Sequence, residues 1–293
     1  MFVLELNLLF RLSFVELRKE TNQDIRDFKD LKGIIVFTFP QVGFTLIDNK
    51  LKLSKVGSVR IKKHRAIEGI IKTLTVCRSG EKWYACFFCE IQQAPLSKVE
   101  AVVGIDVGLE SFATLSTGEK IKNPRFFREV EVKLAKAQRR LSKATKGSTD
   151  RKKQRKKVSN IHIKIANKRS DFAHKLSRQL VNQYQVIAFE KLDIQNMIGN
   201  HIEYFGHKLN KSINDAAWNQ FIRYTVYKAE YAGRSVVLVN PRNTSKRCSR
   251  CGQIIEKDLS TRIHSCTCGL ILDRDHNAAI NILALGMQRL AKA

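Results

Sequence analysis

The sequence predicts an α/β fold on three observations. Ala101-Val102-Val103-Gly104-Ile105-Asp106-Val107 is a continuous apolar run broken by one acid, the pattern of a strand buried on both faces. After it the hydrophobic period switches repeatedly between two and 3.6, giving three strands, helix, strand, helix, strand and helix. Before it, residues 44 to 91 run in short alternating segments, as the strands of a small antiparallel sheet or barrel do.

Taken in order, the first forty residues give a blurred pattern: apolar from Met1 to Phe14, polar from Lys19 to Lys32, apolar again from Gly33 to Phe39. Glu5 and Arg11 interrupt the first apolar piece and no small-residue cleavage site follows, so it does not read as a signal peptide. Strands are expected at Phe44–Ile47, Leu51–Leu53, Ser58–Ile61, Ile70–Val76 and Trp83–Phe88, with Lys62, Lys63, His64 and Arg65 on one connecting loop. Beyond the buried strand, Phe112–Ser116 and a short piece at Lys120-Ile121 read as hairpin partners. Two long helices follow, about Pro124 to Lys143 and Thr149 to Tyr184. Val186–Glu190 is a strand, Asp215–Ala232 a helix, Ser235–Val239 a strand, and Asp275–Leu290 a closing helix. This element order is that of an RNase H-like domain.

The 293 residues carry 53 Lys and Arg against 27 Asp and Glu, a formal charge of +26. A surface that repels itself so strongly calls for a polyanionic partner, with nucleic acid first and an anionic membrane second. No apolar run approaches the roughly 20 residues that span a bilayer, so a membrane protein is not expected. The charge is concentrated. Lys120 to Arg178 holds 21 basic and 4 acidic residues, centred on Arg151, Lys152, Lys153, Arg155, Lys156 and Lys157. That density between two candidate site acids reads as a surface for phosphate backbone rather than bases, although isolated charge runs are often only solvated helix faces.

Three acids stand out by position. Asp106 interrupts the buried strand, Glu190 ends the next apolar strand, and Asp275 opens the last helix with Ala278, Ala279 and Ile282 on its face. A buried carboxylate is costly unless paired or bound to metal. Three converging at strand ends would make an all-oxygen site for Mg²⁺ or Mn²⁺, able to hold two ions roughly 4 Å apart for phosphodiester hydrolysis. Taken singly the acids have plainer readings: a turn-forming Asp106 or the phosphate-side Asp of an actin-like ATPase, and a strand-end Glu190; Asp273 competes with Asp275 for the third position, its own plain reading being a helix N-cap.

Seven cysteines without a secretory leader suggest a reducing, cytoplasmic setting, where grouped thiols tend to bind metal. Cys248, Cys251, Cys266 and Cys268 form a C-x2-C, fourteen-residue gap, C-x-C array suited to a structural Zn²⁺, with His264 as an alternative fourth ligand. Gly252 and Gly269 each follow a pair, where a positive φ would turn backbone N–H groups toward sulfur. Cys86 and Cys89 fall on a strand with their side chains on opposite faces and, with Cys77, read as structural.

Several segments resemble the TnpB/OrfB proteins of insertion sequences, relatives of the type V CRISPR effector nucleases. They include Leu53-Ser54-Lys55-Val56-Gly57, Val103–Gly108, Phe189-Glu190-Lys191-Leu192, Asp215-Ala216-Ala217-Trp218 and Tyr227-Lys228-Ala229. Asn243–Gly252 and Asp273-Arg274-Asp275-His276-Asn277-Ala278-Ala279 are the most specific. The resemblance implies a transposon-encoded, RNA-guided DNA endonuclease with a RuvC-type domain and catalytic acids Asp106, Glu190 and Asp275. Its implied partners are DNA and a guide RNA from its own element. Residues 1 to 38 do not match the family's usual opening, which implies a shortened recognition apparatus. The expected organisation is an atypical segment at 1–43, a wedge- or oligonucleotide-binding-barrel-like part at 44–100, the nuclease domain at 101–245 and 271–293, and the zinc ribbon at 246–270. The alternative function is a guide-deficient remnant or repressor that binds nucleic acid without cutting. A strand-transferring transposase would need a joining apparatus that the sequence does not display.

Overall fold

The computed structural model describes residues 2–6, 36–63, 66–79, 82–91, 94–200, 206–258 and 260–292. The polar stretch at 19–32 and the loop residues His64 and Arg65 lie outside them. The chain forms two compact units, Met1–Gln93 and Ala94–Ala293.

The first unit is one antiparallel sheet in the order β2-β6-β7-β1-β5-β4-β3. Its strands are β1 (Phe2–Leu6), β2 (Val36–Pro40), β3 (Phe44–Ile47), β4 (Lys50–Leu53), β5 (Gly57–Lys62), β6 (Ile70–Ser79) and β7 (Lys82–Glu90). Alternate residues such as Phe37, Phe39, Leu51, Leu53, Leu74, Val76, Ala85 and Phe87 are buried in one core, the period-two signature read in the sequence. Among the described residues β2 and β3 are the outer strands of this order.

The second unit is built on a five-stranded sheet of order β10-β9-β8-β11-β12. Here β8 is Val102–Val107, β9 Ser111–Leu115, β10 Lys120–Lys122, β11 Val186–Glu190 and β12 Ser235–Val239. The first three are antiparallel neighbours; β11 lies parallel to both β8 and β12. This is the order of the RNase H-like sheet. Helices α1 (Phe126–Lys143) and α2 (Thr149–Gln183) bridge β10 to β11. Helices α3 (Ile194–Asn200), α4 (Gly206–Ala216) and α5 (Trp218–Ala232) bridge β11 to β12, and α6 (Arg274–Leu290) follows the hairpin β13 (Ile263–Ser265)–β14 (Ile271–Asp273).

One face of the sheet buries Val103, Ile105, Ile187 and Phe189 with Leu180, Val181 and Phe221 of the helices. The other packs Ala188, Val237 and Val239 on Ile282 of α6. That helix approaches very closely. A Cβ at Gly104 would meet Ala279 O at 2.2 Å, and one at Gly286 would meet Ala188 Cβ at 2.6 Å. The two glycines let α6 lie against the strands, which sets the position of Asp275 at its start.

The expected helix Asp215–Ala232 is corrected to two helices meeting at Ala217, which adopts φ 55°. The break has a visible cause. Both oxygens of Asp215 accept from Phe127 N at the start of α1, and Oδ1 also accepts from Arg169 Nη2 at 2.6 Å. Asp215 is thus drawn away as a cap for another helix, and α5 starts afresh at Trp218.

Candidate catalytic carboxylate site

Asp106 lies near the end of β8 and Glu190 ends β11. The parallel register pairs Phe189 with Ile105, so the two acids stand side by side at the same edge of the sheet. Asp275 enters from the first turn of α6. All three line one cavity of about 530 Å³, with Arg262, Arg274, Glu110 and Thr244 around them and Leu109, Met197, Ile213 and Trp218 forming an apolar wall.

The electrostatics match a cation site. Burial, then the charges of Glu190 and Asp275, push the Asp106 carboxyl well above the usual aspartate range. Burial raises Glu190, partly offset by a hydrogen bond from the Thr244 hydroxyl. Asp275 is raised by burial and by Asp273, against the pull of Arg262, Lys120 and Arg274. Buried carboxylates that repel one another suit a hard divalent ion, which would relieve both the desolvation and the repulsion.

Asp273 behaves differently. Burial would raise it, but Lys120 and the N–H groups of the α6 first turn outweigh burial and hold it low. Its Oδ1 accepts from Asp275 N and His276 N, each at 3.1 Å. Asp273 is the helix cap, and Asp275 is the acid that lines the cavity.

Periodicity and spacing do not single out Arg262, Arg274 or Thr244, although Arg274 and Thr244 lie within family motifs. Arg262 precedes β13 and its Nε reaches Glu110 at 3.3 Å; Arg274 donates to Asp258 O at 2.9 Å. Nothing local distinguishes Arg262 in so basic a chain, and only the fold brings it to the acids; Arg274 lies between Asp273 and Asp275 within a family motif. Trp218, visible in the sequence only within a family motif, has its indole N–H buried in the cavity wall with no hydrogen-bond partner among the described residues.

The four thiols of Cys248, Cys251, Cys266 and Cys268 converge, with all sulfurs within 4.8 Å of one another. Cys248 and Cys268 are 3.7 Å apart and Cys251 and Cys266 3.5 Å. Gly252 and Gly269 have φ of 81° and 82°, and their N–H groups bond back to Cys248 O and Cys266 O. Two turns therefore present the thiols, a tighter one closing the C-x-C half and a longer one the C-x2-C half. Burial pushes the Cys248 thiol up, yet the N–H groups of Cys251 and Arg250, with His264, bring it down to about 5. The donor set fits a tetrahedral thiolate-bound metal. His264 is fully buried, but its ring nitrogens are not among the converging atoms, and Nδ1 faces Lys257 Nζ. Cys77 and Cys86 lie 3.8 Å apart across β6 and β7, and no third donor joins them among the described residues.

The basic run occupies the start of α2. Lys152, Lys153, Arg155, Lys156 and Lys157 are exposed or partly exposed along it. Arg151 instead serves the fold, since its Nη1 donates to Leu141 O and Ala144 O and closes the end of α1. Lys157 joins Lys133, Lys136, Arg140 and Lys164 around a groove of about 400 Å³ between α1 and α2. The cations thus come from both helices, not from the run alone.

The fold and site define an α/β protein with an RNase H-like sheet, a carboxylate cavity and a four-cysteine ribbon. The profile of the OrfB_IS605 family, described as "Probable transposase", matches residues 86–201. That of the Cas12f1-like TNB domain matches 218–282. A Streptomyces pristinaespiralis protein provisionally named an RNA-guided DNA endonuclease is 42% identical over 220 residues, covering 73% of this chain and 53% of its own. InsQ of Escherichia coli strain K12, provisionally named likewise, is 33% identical over 268 residues, covering 87% of this chain and 67% of its own. The chain belongs to the TnpB/OrfB family of transposon-associated proteins. It spans about half the length of the Streptomyces relative. In fold it is similar to the protein of a solved Cas12f1–sgRNA–target DNA complex, with a TM-score of 0.55 at 16% identity, over 90% of this chain and 62% of the other. No helix among the described residues is long and apolar enough to cross a membrane.

Proposed function

We propose that the protein is a transposon-encoded, RNA-guided DNA endonuclease whose cutting centre is the Asp106, Glu190 and Asp275 cavity. The carrying observation is the convergence of these three acids, distant in sequence, around one cavity with raised affinities for protons. Their carboxylates are the residues that would hold Mg²⁺ or Mn²⁺. Bound divalent ions would supply an activated water and neutralise the leaving 3′ oxygen.

The chain's own residues supply the rest. Arg262 and Arg274 place positive charge at the cavity, where a phosphate must come close to three carboxylates. The apolar wall of Leu109, Met197, Ile213 and Trp218 limits water on the other side. The α1–α2 groove and the exposed lysines of α2 offer a track for phosphate backbone. The four cysteines would bind one structural Zn²⁺ and so fix the segment that carries Arg262. A nuclease domain at 101–245 with 271–293 and a ribbon at 246–270 belong to this reading, as do guide RNA and target DNA as partners.

Expression with the flanking element, recovery of co-purifying RNA and its sequencing test the reading. A discrete RNA from the element, which then directs cutting of complementary DNA, is the expected result. Firm binding without any cutting would favour a nucleic-acid-binding remnant instead.

A further inference from the structure

Among the described residues, Glu190 is the site acid whose carboxylate receives a side-chain hydroxyl. Thr244 Oγ1 donates to Glu190 Oε1, and it also lies 3.0 Å from Pro241 O. A hydroxyl has one proton to give, and an anionic carboxylate outcompetes a neutral carbonyl for it. Thr244 is itself buried, at 5% exposure, so its hydroxyl is held in place beside Glu190.

The loop that carries Thr244 is tied down from behind. Asn281 Nδ2 donates to Thr244 O at 2.8 Å and to Arg247 O at 2.7 Å. One turn earlier on α6, Asn277 Nδ2 donates to Arg247 O at 2.8 Å while its Oδ1 accepts from Ser249 N at 3.0 Å. Both amides are buried and bonded to this loop. Asn277 and Asn281 sit on the helix whose first turn presents Asp275. The clamp therefore fixes Glu190 and Asp275 relative to each other through a short chain of hydrogen bonds.

We propose that Thr244 is a positioning residue, held by Asn277 and Asn281, that keeps the Glu190 carboxylate in its metal-binding orientation. The inference rests on the reading of Asp106, Glu190 and Asp275 as metal ligands. Partners of this kind typically alter metal affinity roughly 10- to 100-fold when removed, because the ligand must then be ordered at the moment of binding.

Titration of the purified 293-residue chain with Mn²⁺, read by calorimetry and by the loss of free-ion electron paramagnetic signal, tests it without recourse to cleavage. Thr244→Val keeps shape and removes the hydroxyl; Thr244→Ser restores it. The valine variant is expected to bind Mn²⁺ roughly tenfold more weakly at an unchanged unfolding temperature, and the serine variant within about threefold of wild type. Thr244→Ala, smaller than the native residue, serves the same comparison if valine disturbs folding. Folded Thr244→Val or Thr244→Ala with wild-type Mn²⁺ affinity overturns the proposal and leaves the metal site standing. Glu190→Gln is the control. If it binds Mn²⁺ as wild type does, or if wild type binds none, the metal-site reading fails and the positioning role falls with it.

Discussion

Lys120 Nζ meets Asp273 Oδ2 at 2.7 Å, and this pair explains why two aspartates two residues apart have separate roles. Paired with Lys120 and bonded to the helix N–H groups, Asp273 stays ionised and serves folding, whereas burial pushes Asp275 toward the protonated form. Asp273→Ala should cost about 1 kcal/mol of stability, the usual loss of an N-cap, and keep most metal binding. Asp275→Ala should abolish metal binding at little cost in stability. Thermal unfolding and Mn²⁺ titration of the two variants check the contrast.

Asp106 supplies a prediction about pH. Its folded-state pKa is raised above the unfolded value, so the folded chain holds this proton more tightly. The stability so conferred is present below the usual aspartate range and is lost as pH rises through the elevated folded value. Metal-free protein should therefore unfold at a lower temperature at neutral than at mildly acidic pH. Asp106→Asn should raise the neutral-pH unfolding temperature by a few degrees and abolish stabilisation by Mn²⁺. Scanning calorimetry at several pH values, with and without Mn²⁺, measures both effects.

The scaffold is legible in the sequence where one physical signal dominates. The apolar run around Asp106 is a doubly buried strand, and its hairpin partners, two long helices and parallel companions fall within a residue or two of expectation. The cysteine turns are legible because positive φ at Gly252 and Gly269 is a local demand. The break at Ala217 is not, since it depends on Asp215 capping a helix some ninety residues earlier in sequence. Helices α3 and α4 leave little trace: Ile194–Asn200 is too short for a periodic stripe, and Gly206–Ala216 merges in pattern with the helix that follows. Arg262 has no sequence signal of its own, and Arg274 and Thr244 are visible only as members of family motifs. Their roles come from long-range approach.

The ribbon should hold about one zinc per chain by metal analysis. Cys248→Ser or Cys268→Ser should destabilise the second unit, because metal binding and folding are coupled. Since Arg247 and Ser249 flank Cys248 and are clamped by Asn277, stripping zinc should also weaken Mn²⁺ binding at the carboxylates. Full zinc occupancy in the double variant would rule out these four thiols as the zinc site.

Neutralising Lys133, Lys136, Arg140 and Lys157 should weaken binding to any nucleic-acid sequence and reduce the salt slope by up to roughly one unit per lost phosphate contact. Arg151→Gln should instead act mainly on stability, since its guanidinium closes α1. Fluorescence anisotropy across a salt series, beside thermal unfolding, distinguishes the two. Unchanged affinity in the fourfold variant would make the groove a solvated surface.

The most direct test is cleavage of DNA complementary to the co-purified RNA, in Mg²⁺, Mn²⁺ or Ca²⁺, by wild type and by Asp106→Ala, Glu190→Ala and Asp275→Ala. Wild type should cut in Mg²⁺ or Mn²⁺ and bind with little cutting in Ca²⁺, whose looser coordination positions water poorly. None of the three variants should cut detectably, and all should retain nucleic-acid binding. Wild-type cleavage by any one of them would contradict a centre made of these three carboxylates.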